Sequence, residues 1–168
     1  MTVRTLIDLT YQDSVPPTDS KLSTLERVSL LQKTGCPIHD VRSMLREVGL
    51  RPTRQRMALG WLLFAKGDRH VSAEMLFEEA MKARVPVSLA TVYNTLKVLR
   101  EAALIREVIV DPTKVFFDPN TEPHHHLYDV VTGCLTDIPD NTLRIEGMPQ
   151  LPPGMVADGV DIVVRVRP

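Results

Sequence analysis

Apolar residues recur at helical spacing through the middle of the chain, and each run starts near a residue able to cap it. Val41, Met44, Leu45 and Val48 form the first run, which stops at Gly49, a residue suited to the left-handed position after a helix. Thr53 follows Arg51-Pro52 and caps a predicted helix through Ala65, packed by Leu59, Trp61, Leu62 and Leu63. Lys66-Gly67-Asp68-Arg69 reads as a turn. Ser72 caps a third helix, with Met75, Leu76, Ala80 and Met81 toward the core and Glu74 at the positive end of the helix dipole. Ser88 comes after the extended Val85-Pro86-Val87 and caps a fourth. There Val92, Leu96, Leu99 and Ala103 recur at i, i+4, i+7 and i+11, which makes one apolar stripe. The opposite side carries Ser88, Thr91, Tyr93, Asn94, Lys97 and Arg100, side chains that can donate to phosphate or read base edges. An ordinary amphipathic surface helix has the same pattern.

The period then changes. Arg106 to Val110 and Val115 to Phe117 read as two strands joined by a turn at Asp111-Pro112-Thr113-Lys114. Helix, turn, helix and hairpin in that order is the layout of a winged helix, whose second helix enters the major groove. Residues 118–123, with Pro119 and Pro123, read as a hinge. Beyond it the pattern predicts strands at 124–131, 134–138 and 160–166, and a short helix within 140–148. The expected fold class is therefore α+β: an arm over residues 1–35, a winged-helix domain over 36–117, the hinge, and a small α/β domain over 124–168.

Composition adds that this is a globular chain. Of its 168 residues 43% are hydrophobic, and no apolar run approaches the roughly 20 residues a membrane helix needs. No secretion signal is read at the start, and two cysteines make no disulfide scaffold, so a cytoplasmic location without a membrane partner is expected. Net charge is −1, but it is unevenly placed. Residues 36–110 hold 12 Lys+Arg against 8 Asp+Glu, whereas residues 111–168 hold 4 against 9. A basic half followed by an acidic half suits phosphate contact by the first. Arg51, Arg54 and Arg56 cluster at one helix start, where phosphate contact and a solvated charged face are both open.

Two stretches carry ligand chemistry. In Gly35-Cys36-Pro37-Ile38-His39-Asp40 the proline keeps a helix from running through the pair and leaves the thiol on an extended segment. His124-His125-His126 is the densest group of donors. On a strand, 124 and 126 share one face and 125 takes the other, so the three do not readily bind one ion. Imidazole suits zinc, iron and haem iron, and manganese to a lesser degree. Histidines in solvent at a strand end are the plainer alternative.

HVSAEMLFEEA (70–80), SLATVYNTLKVLREAALI (88–105), GLRPTRQR (49–56) and HHHL (124–127) together resemble the ferric uptake regulator family, over roughly residues 38–138. The triple histidine, the missing zinc-binding cysteines and GCPIHD narrow the resemblance to the haem-responsive iron response regulators of rhizobia and related bacteria. That resemblance implies a dimer, formed by the second domain, on a pseudo-palindromic double-stranded operator. It places DNA contacts on Ser88, Thr91, Tyr93 and Asn94; Arg54, Arg56 and Lys97 are further candidates, read from the residues themselves. Many relatives have arginine where this chain has Asn94, so the operator is expected to differ at that base, from guanine toward adenine.

The resemblance also implies haem ligands at Cys36, His39, His124, His125 and His126, with Cys36 as a thiolate ligand of the haem-regulatory type. A second set, His70, Asp118, His124 and His126, would hold Mn²⁺, Fe²⁺ or Zn²⁺, and a ligand set drawn from both domains would couple binding to their relative angle. Relatives commonly carry two C-x-x-C pairs; here only Cys36 and Cys134 exist, so a structural Cys₄ zinc is excluded, and Cys134 is expected to pack as a small apolar residue. Glu146 is a further candidate ligand by proximity to the expected helix. The leading expectation is a regulator of iron homeostasis and haem synthesis, active under iron limitation and controlled by haem. The alternative keeps DNA binding and senses Mn²⁺, Fe²⁺ or Zn²⁺. A metalloenzyme on the histidine cluster lacks a recognisable general base, and a haem-trafficking protein would bind no duplex.

Overall fold

The computed structural model describes residues 37–67, 69–139, 142–147, 149–157 and 159–168. These fall into two compact units, one ending at Glu122 and one running from Pro123 to Pro168. Cys36, the arm and the side chain of His39 lie outside the described residues.

Local chemistry sets the helix boundaries of the first unit. α1 (Pro37–Glu47) starts on a proline, whose fixed φ and missing N–H suit the first helical position. α2 (Arg54–Phe64), α3 (Ala73–Lys82) and α4 (Leu89–Glu101) start after Thr53, Ser72 and Ser88. Each of these hydroxyl oxygens accepts from the N–H three residues on, at 3.3, 3.2 and 3.1 Å.

The ends of α1, α3 and α4 share one device. Gly49, Arg84 and Ala103 have φ of 75°, 56° and 52°. Gly49 donates to the Arg46 carbonyl, Arg84 to Met81 and Ala103 to Arg100, while Leu50, Val85 and Leu104 donate to Leu45, Ala80 and Leu99. Those paired bonds make a Schellman motif at each helix end. Gly49 fills its place without strain; Arg84 and Ala103 do so with a Cβ. Ala103 is thus past the helix end, and the stripe facing the core is Val92, Thr95, Leu96 and Leu99.

The core of this unit joins Val41, Met44 and Leu45 of α1, Leu59, Leu62 and Leu63 of α2, and Leu76 and Ala80 of α3 to the α4 stripe. Burying each large aliphatic side chain is worth roughly 1.5–3 kcal/mol. Trp61, Met75 and Met81 are 39%, 44% and 57% exposed, against the expectation that they pack inward. Each lies three or fewer residues from a buried neighbour, and the helix turns it past the narrow arc that meets the core.

β1 (Arg106–Asp111) and β2 (Lys114–Asp118) pair antiparallel, with Arg106 opposite Asp118 and Asp111 opposite Lys114. The carboxylate of Asp111 accepts from the Thr113 N–H and hydroxyl at 2.8 and 2.7 Å and so closes the turn. Val71 adds one antiparallel bridge to Phe117. Asp118, the first residue of the expected hinge, belongs to this ladder and is fully buried.

The second unit holds β3 (His126–Asp129), β4 (Leu135–Asp137) and β5 (Val163–Val166) in the order β4-β3-β5. β3 is antiparallel to β4 and parallel to β5. Among the described residues of this unit there is no helix, so none is formed over 142–147, where a short helix within 140–148 was expected; residues 140, 141 and 148 lie outside the described residues. Over 142–147 the Thr142 hydroxyl and N–H both turn back to the Pro139 carbonyl, a local bond that competes with a helix, and Gly147 adopts φ 82°. Cys134 is exposed rather than packed, because it lies in the loop between β3 and β4. Among the described residues no helix is long and apolar enough to cross a membrane.

Candidate metal centre and nucleic-acid interface

The Val71–Phe117 bridge positions the first pair of donors. It consists of Val71 N–H to Phe117 C=O at 3.1 Å and Phe117 N–H to Val71 C=O at 2.8 Å. An antiparallel bridge there makes His70 and Asp118 neighbours, and His70 Nε2 lies 3.6 Å from Asp118 Oδ2. The other oxygen of Asp118 accepts from the Asn120 N–H at 2.8 Å. Both side chains are at least 95% buried. The family resemblance sets the two in one ligand group; the single bridge that brings them together has no periodicity to reveal it.

In the second unit, strand register does the same work. His126 pairs with Asp137 across β3 and β4. Asp137 Oδ1 stands 3.2 Å from His124 Nε2 and 3.8 Å from His126 Nε2, and the two imidazole centroids are 4.5 Å apart with a 57° tilt. One donor atom from each of the three lies within 4.8 Å of the others. His126 is fully buried and the His124 side chain nearly so. His125 stands outside this group; β3 begins at His126, so His124 and His125 precede the strand.

Asp137 is the ligand candidate the sequence reading missed. A two-residue turn at Thr132-Gly133 would have set Asp137 opposite Tyr128. Instead the Asp129 carboxylate accepts from the N–H of Val131 and Thr132 at 2.8 and 3.2 Å, and Asp129 N–H reaches Cys134 C=O at 3.0 Å. The longer loop slides Asp137 to His126. Glu146, the other acidic candidate, faces Arg144 Nε at 3.3 Å and lies on no helix.

Two imidazoles and a carboxylate converging on one point make a compact donor set for Zn²⁺, Mn²⁺ or Fe²⁺. A simple ion fits it: a carboxylate oxygen shared by two imidazoles is where a small cation would neutralise charge. Haem, expected from the sequence at Cys36, His39 and the three histidines, draws no support from this set, in which His125 does not join the other two.

The polar side of α4 is where the stripe predicts it. Ser88, Tyr93, Asn94, Lys97 and Arg100 are exposed and Thr91 is half-buried. Ser88 and Thr91 share a hydroxyl–hydroxyl bond of 2.9 Å as part of the cap. Lys97 stands 3.9 Å from Glu101, and Arg100 pairs with Glu107 of β1 at 2.5 Å. The Tyr93 hydroxyl donates to the Glu74 carboxylate at the start of α3. That bond holds the Glu74 carboxyl below its ordinary pKa and raises the Tyr93 phenol above its own. At the start of α2, Arg54 is exposed, while Arg56 donates to the Arg51 carbonyl at 3.1 Å and Gln55 to the Pro86 carbonyl at 3.2 Å.

A profile of the ferric uptake regulator family matches residues 47–149. The ferric uptake regulation protein of Campylobacter upsaliensis is 35% identical over 99 residues, which cover 57% of this chain and 63% of that protein. The peroxide-responsive repressor PerR of Staphylococcus epidermidis is 31% identical over 94 residues, 55% and 61% of the two chains. The matched region thus spans less than two thirds of either relative. Among solved structures, the ferric uptake regulator of Pseudomonas aeruginosa with manganese superposes with a TM-score of 0.58 at 27% identity, over 76% of this chain and 97% of that one. The Vibrio cholerae ferric uptake regulator gives 0.61 at 18% identity over 75% and 98%, a likeness of fold alone.

Proposed function

The chain belongs to the ferric uptake regulator family, and from that premise we propose that it is a DNA-binding transcription regulator whose signal is a divalent metal ion, Mn²⁺, Fe²⁺ or Zn²⁺. The family is one of transcription regulators and not of enzymes. The observation that carries the proposal is the convergence of His124, His126 and Asp137 on one point. The relative from P. aeruginosa was solved with manganese, and this donor set suits such an ion. In the proposed function these three residues hold the ion and the exposed face of α4, with Arg54 and Arg56, meets the duplex. A homodimer would present two such helices to the two halves of a pseudo-palindrome. His70 and Asp118, the buried pair of the first unit and the remaining members of the set expected from the sequence, are proposed as metal ligands as well.

Haem control, the more specific reading of the sequence, rests on Cys36, which lies outside the described residues, and the ion reading is preferred because the donors that the structure brings together suit an ion. One experiment separates the two. Fluorescence anisotropy of an A/T-rich palindromic duplex is measured with the metal-free protein, with Mn²⁺ and with one equivalent of haem, and the series is repeated with Asp137→Asn, Asp118→Asn and Cys36→Ala. The expected result is binding that Mn²⁺ strengthens and that Asp137→Asn uncouples from Mn²⁺. Direct titration should show Mn²⁺ affinity at least tenfold weaker in Asp137→Asn and in Asp118→Asn, since even outer-sphere losses cost that much. Binding indifferent to Mn²⁺ but abolished by haem, and restored in Cys36→Ala, would replace the ion reading with the haem reading.

A further inference from the structure

Tyr93 is the aromatic residue on the outward face of α4, with 47% of its surface exposed. An exposed tyrosine ring normally samples several rotamers, and fixing it on binding costs conformational entropy. Here its hydroxyl is already tied to the Glu74 carboxylate, 19 residues back at the first turn of α3. The carboxylate accepts a charge-assisted bond, the stronger kind, and as an acceptor only it fixes the direction of the phenol proton. α3 and α4 are packed through the core by Leu76, Ala80, Val92 and Leu96, so the anchor itself is rigid. The bond also places a negative charge beside the face proposed to approach DNA, where phosphates would repel it.

We infer that Glu74 is a positioning and specificity residue for DNA reading: it holds the Tyr93 ring ready for apolar contact with a thymine methyl, and its charge weakens attachment to phosphates of any sequence. The inference rests on the proposed DNA-binding function. The held ring raises the ratio of specific to non-specific binding, the quantity that matters for a reader of sequence, while the charge lowers both affinities alike. A preformed ring helps only where a methyl meets it, and the repulsion acts everywhere. Glu74 and Tyr93 are exposed, so replacing either leaves the core intact.

The test uses the full chain with Mn²⁺ and an A/T-rich palindromic duplex made either with thymine or with deoxyuridine, which lacks the methyl. The wild type should prefer the thymine duplex. Glu74→Ala should shrink that preference about two- to tenfold, the cost of ordering one freed side chain. Glu74→Gln, whose amide oxygen still accepts from the phenol, should keep the preference while binding both duplexes more tightly. Tyr93→Phe, which keeps the ring but loses the tether, should shrink the preference as Glu74→Ala does, and adding Glu74→Ala to it should change the ratio no further. In the absence of DNA, ultraviolet titration should show the Tyr93 phenol ionising at lower pH in Glu74→Ala than in the wild type. A thymine preference unchanged in Glu74→Ala overturns the inference alone. A wild type that binds neither duplex, with or without Mn²⁺, overturns the DNA-binding function and this inference with it.

Discussion

Replacing Glu79 by glutamine should destabilise the first unit by an amount that depends on pH in a defined direction. The Arg69 guanidinium grips Glu79 with two bonds, Nη1 to Oε1 at 2.6 Å and Nη2 to Oε2 at 2.7 Å. Nη2 also donates to the Leu62 carbonyl at 2.8 Å, so Arg69 ties α3 to the end of α2. Lys66 adds a contact at 2.9 Å. Together, and chiefly through Arg69, these hold the Glu79 carboxyl down to about 2 from an ordinary 4.5, against the opposing effect of burial. At about 1.4 kcal/mol for each pH unit, the shift sets a ceiling near 3 kcal/mol. Glu79 and Arg69 are each 21% exposed and Lys66 48%, so water screens part of it and about 1–2 kcal/mol remains at neutral pH.

A carboxyl depressed in the folded state stabilises fully above its unfolded value and loses that contribution as pH falls through the folded one. The gap between wild type and Glu79→Gln should therefore be full above about pH 5, less than half as large near pH 3, and absent below about pH 2. Urea unfolding of both proteins at matched pH, followed by circular dichroism, measures it. A gap that stays constant from neutral pH to about pH 3, or a glutamine variant as stable as the wild type at neutral pH, would refute the argument from the ion pair.

Other outcomes follow from backbone geometry and packing. A Cβ added at Gly60 in α2 would sit 2.8 Å from Cγ1 of Val41, itself 1% exposed and stiff at χ1. Gly60→Ala should therefore lose stability by about 1 kcal/mol, overpacking of about 1–3 kcal/mol outweighing about 1 kcal/mol of helix propensity; a urea midpoint that rises instead would sink the argument, and Val41→Ala in the same chain should remove the clash. Ala103→Gly should gain about 1 kcal/mol in the same assay by relieving φ of 52° at the end of α4. Arg84→Gly, at φ 56°, should gain similarly, and no gain at either site would show that these helix ends are unstrained.

Local rules were enough to read the first unit from the chain. Capping hydroxyls at Thr53, Ser72 and Ser88, glycine at position 49 and the 3.6-residue period of Leu59, Leu76, Val92, Leu96 and Leu99 depend on neighbours a few residues away, so they are written in the order of the residues. The face of α4 that carries Tyr93, Asn94 and Lys97 was legible for the same reason. The separation of His125 from His124 and His126 agrees with the expected alternation, although β3 starts only at His126. The exposure of Trp61, Met75 and Met81 was not legible, because periodicity gives the direction of an apolar face but not how wide an arc its neighbours cover.

What only the tertiary structure decided is which distant residues meet. His70 reaches Asp118 through one bridge between Val71 and Phe117, 46 residues apart in the chain and too short to leave a pattern. Asp137 reaches His124 and His126 because the Asp129 carboxylate organises a loop longer than Thr132-Gly133 would set, and a shift of two residues in register changes the partner without changing the face. Tyr93 and Glu74 meet because two helices pack on a shared core. Residue types and local spacing state what chemistry is available; register and packing, which are cooperative and non-local, decide where it converges.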